Sequence, residues 1–216
     1  MKLKDCILQL LFPSKCVFCR KLLRNDEQDL CFECRNTLWK EIGGYEFQKG
    51  SYFEKCVYAL HYKGTVRSSI LRYKFHGKFY YADSYGRILA ECVNHHFAGR
   101  YDLITWVPIS KMRYLRRGYD QAKLLAEKTA IVLDVPAERL LYKTRNNLIQ
   151  SRIKDAGARR VNVLNVFRTE RDKVQGKRIL LIDDIVTTGA TFSECARTLL
   201  MAGAEEVICA ALAGHR

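Results

Sequence analysis

The sequence predicts an α/β protein, a mainly parallel sheet flanked by helices, with a small four-cysteine metal module at its N-terminal side. Three observations predict it. Ile179-Leu180-Leu181-Ile182 is an uninterrupted apolar run closed by Asp183-Asp184 and followed by a helical pattern, which is how a strand covered on both faces reads. Leu103 to Val107 reads as a buried parallel strand, stopped by Pro108 and again followed by a helical pattern. Cys16-Val17-Phe18-Cys19 and Cys31-Phe32-Glu33-Cys34 are paired C-x2-C knuckles, a spacing that lets two short loops bend round one metal ion.

In chain order, Met1 to Phe12 carries an apolar run that Asp5, Gln9 and Pro13 interrupt, so amphipathic packing is expected rather than export. No run approaches the roughly 18 apolar residues of a membrane span. Of nine cysteines, four lie in the knuckles, while Cys6, Cys56, Cys92, Cys195 and Cys209 stand singly in apolar surroundings, where a thiol acts as a small hydrophobe. That usage speaks against a disulfide scaffold and for a reducing, cytoplasmic compartment. Four thiolates at Cys16, Cys19, Cys31 and Cys34 fill a tetrahedral shell and leave no open position, so the predicted zinc ion is structural. Residues 1–45 form this module; Lys21 to Asp29 is polar, and the metal supplies most of the module's folding energy.

Gly43 to Gly50 reads as a linker, and a larger domain is expected over residues 51–216. Within it, Phe53 to Tyr62 alternates as a strand, Val66 to Phe75 and Tyr80 to Phe97 have helical spacing, and Leu103 to Val107 is the first buried parallel strand. A further helix is expected from about Tyr119 to Leu133.

The net charge is +14, and residues 100–178 hold 19 Lys and Arg against 8 Asp and Glu. That region is the candidate polyanion face, suited to a diphosphate or to nucleic acid. Ile109 to Gln121 reads as a loop carrying Lys111, Arg113, Arg116 and Arg117, either solvated or anion-binding at a strand's carboxyl end. Tyr142 to Arg160, cation-rich around Gly157, reads as a lid, with an exposed basic hairpin or a nucleic-acid contact as the alternative.

The chemistry concentrates between Asp183 and Thr191. Two adjacent carboxylates outside a strand's carboxyl end receive hydroxyl donors or a hydrated cation. Thr187, Thr188 and Thr191 add hydroxyls, Gly189, next to Ala190, lets the backbone approach closely, and the helix that starts there offers its positive end to a phosphate. Diol-binding acids beside a phosphate cradle suit a ribose 5-phosphate. The segment resembles the 5-phosphoribosyl-1-pyrophosphate (PRPP) motif of type I phosphoribosyltransferases; the bland reading is a strand followed by ordinary helix caps.

The knuckles, Val107-Pro108, Arg117-Gly118-Tyr119-Asp120-Gln121, Gln150 with Arg159 to Val163, and the Asp183-Asp184 motif together resemble the ComF family. The chain departs from the family pattern at Asp120, where Asn is usual, and at Ile109-Ser110. The resemblance implies a type I phosphoribosyltransferase-like sheet with Asp183 and Asp184 as ribose-binding and candidate catalytic residues, and Thr187 to Thr191 around the 5-phosphate. It also implies a pyrophosphate loop with Lys111, Arg113, Arg116 and Arg117, a flexible lid with Gln150, Arg152, Arg159 and Arg160, and Mg2+ accompanying PRPP. Two functions follow: a PRPP-binding protein associated with competence and the uptake or processing of transforming DNA, or an active phosphoribosyltransferase on an unidentified acceptor with no direct DNA role. The partners implied are PRPP and single-stranded DNA or the competence machinery.

Overall fold

The structure, a computed structural model of the 216-residue chain, describes residues 13–38, 44–46, 51–144 and 166–215. Elements are numbered among these. The helices are α1 (Phe32–Leu38), α2 (Gly64–Phe75), α3 (Tyr81–Phe97), α4 (Lys111–Arg117), α5 (Gln121–Leu133), α6 (Arg171–Val174) and α7 (Ala190–Met201). The strands are β1 (Tyr45–Glu46), β2 (Cys56–His61), β3 (Leu103–Trp106), β4 (Tyr142–Lys143), β5 (Phe167–Arg168), β6 (Arg178–Val186) and β7 (Glu206–Gly214).

One sheet runs β1-β2-β7-β6-β3, with β2, β7, β6 and β3 parallel and β1 antiparallel at the edge. Its apolar runs are buried on both faces. Leu180 and Ile182 enter the core beneath α2, α3 and α5, while Ile179 and Leu181 enter the one beneath α7. The period of two within the apolar run Ile179–Ile182 thus serves two cores at once.

Several expectations are corrected here. The strand expected to alternate, β2, is buried at all six positions because helices lie on both its sides. It pairs in parallel with β7, so it, and not β3, is the first parallel strand. The expected linker contributes β1, whose Tyr45 stacks on Tyr58 at 5.2 Å between centroids. The helix expected from Tyr119 starts at Gln121, since Asp120 caps it by accepting the Lys123 N–H at 3.1 Å.

After β3 and the short α4, α5 packs on one face of the sheet, and α7, which follows β6, packs on the other. Adjacent strands whose crossovers leave on opposite sides open a crevice at their carboxyl ends. Helices α3 and α5 approach closely at Gly86, where an added Cβ would lie 2.6 Å from the Lys128 Cβ and 2.8 Å from its carbonyl carbon. Gly86→Ala is therefore expected to cost about 1–3 kcal/mol in urea unfolding, the usual range for an overpacked helix contact. A change within error would mean that the helices part freely.

The metal module does not stand apart. Phe18, Val17 and Leu30 join the core of α2 and α3, with the Phe18 and Tyr85 rings 6.1 Å apart. Arg72 donates to the Val17 and Phe18 carbonyls at 3.1 and 2.6 Å, and the buried Ser69 hydroxyl also donates to Val17. Arg87 grips Asp29 with two bonds of 2.6 and 2.5 Å, and Ser84 donates to the same carboxylate.

Candidate functional site

β6 carries Asp183 and Asp184 into the crevice between β3 and β6. The expectation that the strand ends at the acids needs correction. Its pairing with β3 stops at Trp106↔Ile182, while pairing with β7 continues through Asp183↔Ala211 to Val186↔Gly214. The acids therefore sit on a strand held rigidly from one side and open on the other. The Asp184 N–H donates to Asp183 Oδ1 at 2.7 Å, which fixes the first carboxylate.

The second is held by a residue that sequence reasoning missed. Lys74 Nζ lies 2.8 Å from Asp184 Oδ1, with side-chain exposures of only 15% and 11%. A signal existed: Val66, Ile70 and Tyr73 are the buried stripe of α2, and Lys74 continues it at i+8 from Val66. A lysine on a core-facing stripe demands a partner. Asp183 has its carboxyl pushed up to about 8, first by burial and then by the neighbouring Asp184 charge, with Lys74 opposing. Asp120 is also raised by burial, and Asp184 adds to it, so a third acid borders the crevice. The Asp found where the family pattern has Asn works as a helix cap whose other oxygen accepts the Ile109 N–H at 3.4 Å.

Facing these acids are cations. Arg113 is lowered by burial and by Arg117, with Asp183 and Asp184 pulling the other way. The Lys143 amine, on β4 and 5.5 Å over the Phe167 ring, is lowered to about 8 by burial and by Arg113, while Asp183 opposes. The expected basic loop is instead a helix, α4, capped by Ser110 accepting the Arg113 N–H at 3.4 Å and ended by Gly118 at φ 82. Winding the segment separates its cations by about 100° per residue. Lys111 is exposed; Arg113 is half-buried within electrostatic reach of the acids; Arg117 donates to Gln121 Oε1 at 2.6 Å and covers the Phe75 ring at 4.9 Å, with Arg116 5.9 Å from the same ring. Gln150, Arg152, Arg159 and Arg160 lie outside the described residues; the base of that segment is the antiparallel pair β4–β5.

Just beyond β6, Thr187 is exposed, Thr188 and Thr191 are half-buried, and Gly189 takes φ 71 immediately before α7. That backbone sign is cheap only for glycine. The Thr188 hydroxyl accepts the Ala190 N–H at 3.4 Å, and the positive end of a twelve-residue helix opens beside the acidic pair. The arrangement can hold hydroxyls at the acids and an anion at the helix start.

The second candidate centre is the knuckles. The thiol sulfurs of Cys16, Cys19, Cys31 and Cys34 all lie within 4.8 Å of one another. Four thiolates about 2.3 Å from one ion would be separated by just under 4 Å, so the donor set and its spacing fit structural zinc.

The chain matches the phosphoribosyl transferase domain family over residues 120–216 and the double zinc ribbon domain family over residues 7–45. Competence protein F of Haemophilus influenzae is 28% identical over 217 residues, 91% of this chain and 95% of that one. Competence protein ComFC of Bacillus subtilis is 30% identical over 142 residues, 66% of this chain and 56% of that one. DNA utilization protein YhgH of Escherichia coli O157:H7 is 30% identical over 221 residues, 92% of this chain and 96% of that one. Similarity at this level along nearly the whole length, and not over the transferase domain alone, makes this chain a member of the ComF family.

Proposed function

We propose that the chain binds PRPP in the crevice between β3 and β6 and serves the handling of transforming DNA in the cytoplasm of competent cells. The observation that carries the reading is the juxtaposition of Asp183-Asp184 on β6 with the Gly189 start of α7 at the sheet's switch point. Asp183 and Asp184 take the ribose hydroxyls, Thr187 to Thr191 seat the 5-phosphate, and Arg113 and Lys143 face the diphosphate. Lys74 holds Asp184 in place. Lys111, Arg116 and Arg117 lie further out on α4. Residues 1–45 form the zinc module and 51–216 the phosphoribosyltransferase-like domain.

Mg2+ enters with the diphosphate. With Lys74 already on Asp184, the acidic pair suits hydroxyl donors better than direct coordination, so the ion is reached through water or the sugar. If transfer occurs, departure of pyrophosphate leaves a cationic ribose, and catalysis is positioning and charge stabilisation.

The second reading is an active phosphoribosyltransferase with no direct DNA role. Relatives named for competence and DNA utilization support the first reading, as does the excess of basic residues in the sequence over 100–178, a charge that suits single-stranded DNA. No described helix is long and apolar enough to cross a membrane. Isothermal titration with PRPP, with and without Mg2+, tests the site; a flat titration overturns it. Pyrophosphate release on adding candidate acceptors would favour the second reading.

A further inference from the structure

Phe75, Phe79, Tyr80 and Tyr114 each keep between 49% and 58% of their surface in water. They lie on two neighbouring segments, the end of α2 with its following turn and α4, joined where Arg116 and Arg117 meet the Phe75 ring and where Phe79 meets Tyr119 at 6.2 Å. Residues 74–80 and 111–119 contain no acid, and with Lys74 held by Asp184 their remaining cations are Lys78, Lys111, Arg113, Arg116 and Arg117. Lys78 sits 5.7 Å from the Tyr80 ring. Solvated rings interleaved with cations lose free energy against an apolar partner, because the cations would be desolvated with them. They suit flat, electron-rich rings joined by phosphates.

We propose that this surface is a stacking platform for an unpaired nucleic-acid strand, with Phe75 and Phe79 as base-stacking rings and Arg116, Arg117 and Lys78 on the phosphates. A two-fold contact with a second copy is disfavoured, since it would set these cations against their own images. The platform adjoins the crevice, because Phe75 follows Lys74 directly and Arg113 shares α4 with Arg116 and Arg117. It rests on the single-stranded DNA reading above, and names the rings and cations that would carry it.

The test is fluorescence anisotropy of a labelled oligothymidine and of a duplex of equal length at several salt concentrations. Proteins compared are the wild type, Phe75→Leu with Phe79→Leu, and Arg116→Ala with Arg117→Ala, each checked for its melting temperature and mass in solution. The aromatic variant is expected to bind the single strand about tenfold more weakly with an unchanged salt slope. The arginine variant is expected to flatten the log-log slope by roughly 0.7 for each phosphate that it no longer neutralises. No single-strand binding by the wild type at low salt overturns the DNA reading and the platform together. Wild-type binding that the aromatic variant leaves intact overturns the platform alone, as does equal affinity for the duplex. A change of oligomeric state in the aromatic variant would assign the rings to self-association and also overturn it.

Discussion

Asp184→Asn is expected to abolish the PRPP heat and to lower stability by about 3 kcal/mol, while Asp183→Asn weakens binding without that penalty. The difference comes from Lys74. Its amine is 2.8 Å from Asp184 and only 15% exposed, and breaking such a pair leaves a charge with little water. Fully buried pairs lose about 3–5 kcal/mol in this way, and the residual exposure here favours the lower end. Adding Lys74→Met to Asp184→Asn should recover most of the stability and none of the binding, a coupling that a double-mutant cycle reads directly. PRPP affinity unchanged in the variant with both acids replaced would sink the site.

Asp183 carries a pH signature. Its carboxyl is held near 8 in the folded chain by burial and by Asp184, against about 3.9 in an unfolded one. The folded state therefore binds the extra proton, and the contribution of Asp183 to stability is lost as pH rises from about 4 to about 8. Asp183→Asn removes this contribution, so its melting temperature should gain on the wild type between pH 5 and pH 8.5 in magnesium-free buffer. A constant difference across that window would mean that Asp183 ionises freely.

Removing zinc should produce the other large effect. Zinc analysis is expected to find one ion per chain at Cys16, Cys19, Cys31 and Cys34, and none in Cys16→Ser with Cys31→Ser. Zinc-finger peptides draw about 10–16 kcal/mol from their metal. Here the loss should not stay within the module. Val17 and Phe18 lie in the core of α2 and α3, Arg72 and Ser69 spend their donors on module carbonyls, and Arg87 loses Asp29 if residues 13–38 unfold. Calorimetry with a chelator should therefore show the main transition moving down as a whole. Two transitions, the upper unchanged, would make the modules independent.

Much of this was legible in the sequence because it depends on local pattern. The run at Ile179 is apolar throughout, and that at Leu103 nearly so with Thr105 inside it, because helices cover both sheet faces, and such runs announce themselves without a structure. The knuckles are legible for a similar reason: ligand identity and spacing almost dictate a four-thiolate centre. The Asp-Asp and Thr-Gly order is a strand-turn-helix signal confined to a dozen residues.

What escaped depends on contacts between distant residues. Lys74 and Asp184 are 110 positions apart, and only the packing of α2 over β6 makes them an ion pair. The cations of Lys111 to Arg117 were legible as a charge cluster but not as a helix, since a seven-residue segment carries too few apolar positions to show a period. Once wound, it leaves Arg113 half-buried within electrostatic reach of the acids and lays Arg116 and Arg117 on Phe75. The two-residue strand at Tyr45 likewise exists only because β2 offers it an edge. By itself the sequence determined the α/β class, the four thiol ligands and the acidic pair with the Thr-Gly turn after it, each written in adjacent residues. The tertiary structure alone decided which charges meet in the crevice and that the zinc module shares a core with the sheet, because burial and ion pairing are properties of residues brought together from far along the chain.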